Sequence, residues 1–93
     1  MFQIININQD NNNTAIGWEA AVTCNGATDT TAIGAYALHS LTTGDYNVAV
    51  GQAAANGCTT GERNVAVGMH ANSANTTGHN NVEIGTYAAD AYT

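Results

Sequence analysis

The chain has 93 residues, 9% of them charged, with Arg63 the single Lys or Arg against seven carboxylates and a formal net charge of -6. One base cannot neutralise a run of phosphates, so nucleic acid is excluded as a partner class. The length allows at most one domain, too small to bury a large core unless it repeats a unit or oligomerises.

Taken in chain order, residues 1–12 come first as a segment of their own. The start MFQIININ has no positively charged region, no full-length apolar run and no small-residue cleavage site. It is therefore not read as a secretory signal, and no stretch reaches the 18 or more apolar residues of a membrane span. The expectation is a chain made in the cytoplasm and kept soluble, without membrane insertion. Ile5 and Ile7 alternate against Asn6 and Asn8, as in an added strand. Phe2, Ile4, Ile5 and Ile7 then either cap the first coil or dock the molecule onto another protein, and both roles are open.

From residue 13 a single pattern takes over. NTAIG opens residues 13–29, TTAIG opens 30–46, NVAVG opens both 47–63 and 64–80, and NVEIG opens 81–93. The motif glycines Gly17, Gly34, Gly51, Gly68 and Gly85 are 17 residues apart at every step. Three residues after each comes Ala20, Ala37, Ala54, Ala71 or Ala88, and the turn TTG follows at 42–44, 59–61 and 76–78, with Asn25-Gly26-Ala27 in its place in the first unit. A fixed short period marks a chain built from one stacked unit. Seventeen residues are too few for two helices and a turn, and no 3.6-residue period is present, whereas two short strands with two turns fit. The expected fold is all-β: a parallel β-solenoid of five coils, roughly 24 Å tall at about 4.8 Å per coil. The absence of proline agrees, since almost every backbone N–H would be engaged.

The motif residues have physical work to do. A glycine at the strand end permits positive φ or a close backbone approach. Asn13, Asn47, Asn64 and Asn81, with Thr30 in the remaining motif, tolerate left-handed turns, and stacked copies can bond as an amide ladder. In NVAVG, Val48 and Val50 point one way and Ala49 the other, so both strand faces are apolar and both need cover. One arrangement puts Ala15, Ala32, Ala49 and Ala66 in a narrow lumen. The columns Ile16, Ile33, Val50, Val67, Ile84 and Val48, Val65, Val82 then form a seam with other subunits, which argues for a homo-oligomer. The reverse, Val and Ile inside with Ala at the seam, is the alternative. Cys24 and Cys58 fall in one column two coils apart, about 9.6 Å, beyond the roughly 7 Å Cα separation that a disulfide spans. They are read as free thiols, with a bond between subunits as the other case.

The run from NTAIG through TTG to NVAVG resembles the head repeats of trimeric autotransporter adhesins, and still more the 17-residue version found in phage tail-fibre proteins. The likeness covers residues 13–93. It implies a left-handed parallel β-roll, intertwined or side by side in a homotrimer about a threefold axis, serving as a stiff exposed stalk or head in surface attachment. Asn47, Val48, Ala49, Val50, Gly51 and their equivalents would then be scaffold. The pattern is broken at Glu83, in an Ala position of the last motif, and at Ala27, in place of a turn glycine. Both lie near the ends of the array, where coils become caps, and Glu83 is read as blocking end-to-end β-stacking.

No residue set for catalysis is evident. His39, His70 and His79 occupy three different positions of the repeat and form no ligand column with the cysteines. There is no nucleophile elbow and no phosphate loop, and Asp45 with Glu62 are coil-to-coil neighbours on a turn. Asn12-Asn13-Thr14 and Asn75-Thr76-Thr77 are read as chance glycosylation matches. The expectation is a protein that is not an enzyme and holds no metal or cofactor. Binding, if anywhere, falls on the variable columns: Thr28-Asp29, Asp45-Tyr46, Glu62-Arg63 and His79-Asn80 in one, Glu19, Tyr36, Ala53, His70 and Tyr87 in the other. The leading expectation is a virion structural protein, a trimeric phage fibre or spike that contacts other virion proteins through its N-terminal segment and a host surface glycan or protein through these columns. A capsid-decorating trimer is the alternative. An ice-binding solenoid is a third, weakened because the paired threonines of TTG face opposite sides in an extended strand.

Overall fold

The structure, a computed structural model, describes residues 4–5 (backbone), 12–24 and 26–89. The readings placed on Phe2, Ile7 and residues 90–93 lie outside the described residues. Six strands form one sheet in chain order: β1 (Ile4–Ile5), β2 (Thr14–Ile16), β3 (Thr31–Ile33), β4 (Val48–Val50), β5 (Val65–Val67) and β6 (Val82–Ile84). Strands β2 to β6 are parallel, each displaced by one repeat, so that Ala15, Ala32, Ala49, Ala66 and Glu83 lie side by side. Parallel neighbours 17 residues apart require the chain to circle back between them, and the result is a β-solenoid of about four turns. No helix occurs among the described residues.

The coil has one strand, not the two expected. After the motif glycine the chain winds through consecutive turns closed by bonds from the alanine N–H to the glycine carbonyl, as in Ala37 to Gly34 at 3.1 Å and Ala54 to Gly51 at 3.2 Å. Two residues of this segment in each coil take positive φ: Tyr36 and Leu38 in the second, Ala53 and Ala55 in the third, His70 and Asn72 in the fourth. Such residues cost roughly 1–2 kcal/mol each, and this backbone cannot be a β-strand. It still bonds from coil to coil, with Leu38 N–H to the Ala54 carbonyl at 2.9 Å and Ala55 N–H to Ala71 at 2.8 Å. Sequence periodicity finds the repeat but does not reveal left-handed residues that carry side chains.

Alanine lines the interior. Ala20, Ala32, Ala37, Ala49, Ala54, Ala66 and Ala71 are fully buried, with Leu38, Leu41 and Cys58 among them. The Val and Ile side chains of the same strands point outward and are half-buried or exposed.

The corner explains the rest of the motif. Gly34, Gly51 and Gly68 have φ between +124 and +131, and a Cβ built on any of them would lie 2.6–2.7 Å from carbonyl atoms of the next motif glycine. Both reasons for glycine therefore hold at once. Asn13, Asn47 and Asn64 are buried, Asn81 is half-buried, and none of them is left-handed; the positive φ falls one residue earlier, at Tyr46, Arg63 and Asn80. Each of the three buried ones instead bridges two coils. Asn47 Nδ2 donates to the Gly61 carbonyl at 2.8 Å, while its Oδ1 accepts from Asn64 N–H at 3.0 Å. Asn64 repeats this with Gly78 and with Asn81 N–H. The ladder thus runs mainly from amide to backbone, because backbone groups are the ones stranded at the corner.

The ends differ. At the start β1 pairs antiparallel with β2, Ile4 opposite Ile16 and Ile5 opposite Ala15, so the first edge is covered. In the first turn Gly26 takes φ +105 where the equivalent Thr43 and Thr60 do not. That altered turn holds Ala27, fully buried, at a position where Gly44 and Gly61 have no room for a Cβ.

Two substitutions separate these contributions. Gly51→Ala is expected to destabilise by at least about 2 kcal/mol, from the left-handed penalty plus the clash with Gly68. Asn47→Ala, which strands the Gly61 carbonyl and the Asn64 N–H, is expected to cost about 2 kcal/mol or more. Exposed Thr43→Ala should stay within about 0.5 kcal/mol. Urea denaturation midpoints compare the three, and equal stabilities would refute the corner's role.

Candidate functional site

Three surfaces carry the side chains singled out by the sequence. The first is the outer face of the sheet. Ile16, Val48, Val50, Val65 and Val67 are half-buried, Ile33 is exposed, and Val82 and Ile84 on the last strand are 65% and 67% exposed. These residues make two adjacent apolar columns along the axis, beginning at Thr14 and Thr31 in the first column and Ile16 in the second. A contiguous apolar strip on a regular sheet makes this face a candidate contact surface.

The second surface is the pair of variable columns, both standing on left-handed backbone. Asn12, Asp29, Tyr46, Arg63 and Asn80 have φ between 53 and 61, and all five are exposed. Glu19, Tyr36, Ala53, His70 and Tyr87 have φ between 56 and 65. The residue before each member of the first column is tied inward. Asp45 Oδ1 accepts Thr28 N–H at 2.8 Å and His79 Nδ1 accepts Glu62 N–H at 3.0 Å. Asp45 and His79 thus belong to the scaffold's bonding, and Tyr46 and Arg63 are the exposed members beside them. Arg63 lies against Asn80 and Glu62, with Nε to Asn80 Oδ1 at 3.0 Å and Nη1 to Glu62 Oε1 at 3.3 Å.

In the other column, His70 stacks on Tyr87 with ring centroids 5.3 Å apart and planes 11° from parallel. His39 Nε2 lies 3.0 Å from Glu19 Oε1, and its ring is tilted against Tyr36 at 5.5 Å. His39, His70 and His79 are thus on separate contacts. Among the described residues no group of three or more His, Cys, Asp or Glu side chains is placed to hold a metal ion. Trp18, 55% exposed, adjoins Glu19 and extends this surface toward the first coil. Its position in the variable part of the repeat was the available signal for it.

The third surface is the C-terminal end, which the sequence reading noted only for Glu83. A cleft of about 290 Å3 is lined by Asn72, Ala74, Asn75, Asn81, Glu83 and Ala89. Asn72 is 3% exposed, and the Nδ2 atoms of both Asn72 and Asn75 are buried without a hydrogen-bond partner. In other coils the positions of Asn72 are Ala21, Leu38 and Ala55, and those of Asn75 are Cys24, Leu41 and Cys58. Amides in two otherwise apolar columns were the overlooked signal.

Comparison with protein-family models, with curated proteins and with solved structures gives no match for this chain.

The cysteines are free, Cys58 buried and Cys24 half-buried. Burial pushes both thiols above their ordinary range, and the Cys58 Sγ also lies 3.7 Å from the Gly61 carbonyl. A raised thiol holds little thiolate at neutral pH and reacts slowly. In folded protein at pH 8 a thiol-specific reagent is expected to label Cys24 before Cys58, with both reacting rapidly after unfolding. Equal rapid labelling in the folded state would contradict the burial of Cys58.

Proposed function

We propose that the chain is a virion structural protein, a trimeric fibre or spike component that projects from a phage particle and serves in host attachment. The observation that carries the reading is the strip of Val and Ile on the outer face of a solenoid whose own lumen is filled with alanine. Each of these side chains contributes on the order of 1 kcal/mol when fully covered, and a single chain leaves them wet. Three copies packed through this strip satisfy it, as the likeness to phage tail-fibre repeats implies. Host contact falls on Tyr46, Arg63, Tyr36, His70 and Tyr87, side chains held outward on a stiff backbone. The buried scaffold, including Asn47, Asn64 and the motif glycines, serves rigidity. The N-terminal segment, whose β1 lies at the first edge, is the side through which other virion proteins attach.

A capsid-decorating trimer uses the same assembly and differs only in location. Immunogold labelling of intact particles separates the two: label at the tail supports the fibre, and label spread over the capsid lattice replaces it with the decorating role. Ice binding is disfavoured because the hydroxyls of Thr42 and Thr59 are turned onto the next coil's carbonyls, at 3.1 and 3.4 Å. That leaves one threonine of each TTG pair outermost.

Val50→Asp is expected to abolish assembly, since three carboxylates would enter a dry seam where one unpaired charge already costs several kcal/mol. A soluble Val50→Asp trimer with unchanged melting would show that this column faces water. Folding and assembly are expected to be one event, so the melting temperature should rise with protein concentration and ignore chelator and reductant. A melt at several concentrations beside a mass measurement checks this, and a stable folded monomer would end the proposal.

A further inference from the structure

The third coil carries one chemically labile pair that the fold leaves unrestrained. Asn56 and Gly57 stand where other coils have Val22 and Thr23, His39 and Ser40, or Ser73 and Ala74. Among the described residues Asn56 is the one asparagine followed by glycine. The backbone nitrogen of a residue can attack the side-chain amide of an asparagine just before it, and glycine, lacking Cβ, hinders that attack least. Packing fixes this glycine: a Cβ on Gly57 would meet the Ser73 carbonyl oxygen of the next coil.

The other asparagines are held away from such chemistry. In Asn47 and Asn64 both Nδ2 and Oδ1 are bonded, and the next N–H, from Val48 or Val65, is committed to a neighbouring coil at 2.8 Å. Asn13 is bonded the same way, with Thr14 N–H on the Thr30 carbonyl at 2.8 Å. Asn12 and Asn81 donate through Nδ2, Asn75 and Asn80 accept through Oδ1, and Asn72 is 3% exposed. Asn56 has no such restraint. Its side chain is half-buried and makes no hydrogen bond among the described residues, and the Gly57 N–H has no acceptor there either. Attacking nitrogen and target amide are thus both available in adjacent residues, where an intramolecular step needs no encounter.

We propose that Asn56 is a site of spontaneous covalent modification, in which the Gly57 nitrogen closes on the Asn56 side chain and converts it to aspartate and isoaspartate. A bond forms from Gly57 N to Asn56 Cγ as the Cγ–Nδ2 bond breaks, and the Gly57 proton leaves with Nδ2 as ammonia. Water then opens the cyclic imide. Opening at Cγ gives aspartate in an unchanged chain, whereas opening at the α-carbonyl gives isoaspartate, whose backbone runs through Cβ and Cγ. The second product alters the coil. The Asn56 carbonyl, which accepts Ser40 N–H at 3.2 Å, becomes a free carboxylate, and the turn bond from Cys58 N–H to the Ala55 carbonyl at 3.0 Å must span a longer chain. Cys58, 1% exposed, lies one residue beyond the altered linkage. Isoaspartate at position 56 thus loosens the third coil from within and uncovers its thiol. This chemistry needs only the folded chain and is independent of any virion role.

The test incubates the full chain, folded and in urea, at mildly alkaline pH. Digestion with mass measurement locates each lost amide, and an isoaspartyl methyltransferase counts isoaspartate. Folded protein is expected to lose the Asn56 amide at least about tenfold faster than any other asparagine among the described residues, the advantage of a following residue without Cβ. Isoaspartate should appear in the same peptide, and that fraction should label at Cys58 at least about tenfold faster than fresh protein. Asn56→Ser places there the residue of the fourth coil, so it should fold, form no isoaspartate at this position and keep Cys58 slow to label. An Asn56 amide that survives in folded protein while it is lost in urea, equal loss at Asn47 or Asn64, aspartate without isoaspartate, or unchanged Cys58 labelling in the isoaspartate-bearing fraction would each overturn the proposal.

Discussion

The close approach of successive corners is the constraint on which this fold depends. With Gly51 only a van der Waals contact from Gly68, the coils descend in register and every strand finds its neighbour one repeat away. Any side chain at that corner would lift one coil off the next. The step would then exceed the roughly 4.8 Å that parallel strands require. Asn47 and its equivalents complete the corner by bonding the turn carbonyl of their own coil and the N–H of the next. Glycine makes the approach feasible, and asparagine satisfies the backbone groups that the approach leaves buried.

A chain stacked this tightly has little room inside. The lumen holds alanine and a few larger residues, so the larger apolar side chains must go outward, onto the sheet's outer face. A single inward residue per strand sets both the narrow interior and the apolar exterior. This links the packing to the proposed assembly: the area that a thin solenoid does not bury within itself remains for contact between chains. The same geometry spaces the outward side chains at one-coil intervals on a backbone held by coil-to-coil bonds, which suits a rigid surface better than a reactive site.

The two ends break the repeat in opposite ways. At the first, β1 reverses direction and closes the edge, and the turn around Gly26 is rebuilt to take Ala27. Toward the last, three interior columns turn polar, at Asn72, Asn75 and Glu83. Interior amides whose donors find no partner are costly in an isolated coil.

The sequence alone determined the period, the parallel β-solenoid and the identity of the corner glycines, because each follows from residue type recurring at a fixed step. Residue types on alternate strand positions also separated an alanine face from a Val/Ile face, without deciding which lay inside. Only the tertiary structure decided that, since the choice rests on how closely two backbone layers approach. It also replaced the expected second strand with a run of left-handed turns. Residues such as Tyr36, Ala53 and His70 have no intrinsic preference for positive φ, and only the repeated hydrogen bonds to neighbouring coils hold them there. The same holds for Asn72 and Asn75: their amides become meaningful once the turns carry them into buried columns beside Glu83, a juxtaposition set by coil closure and not by any local pattern.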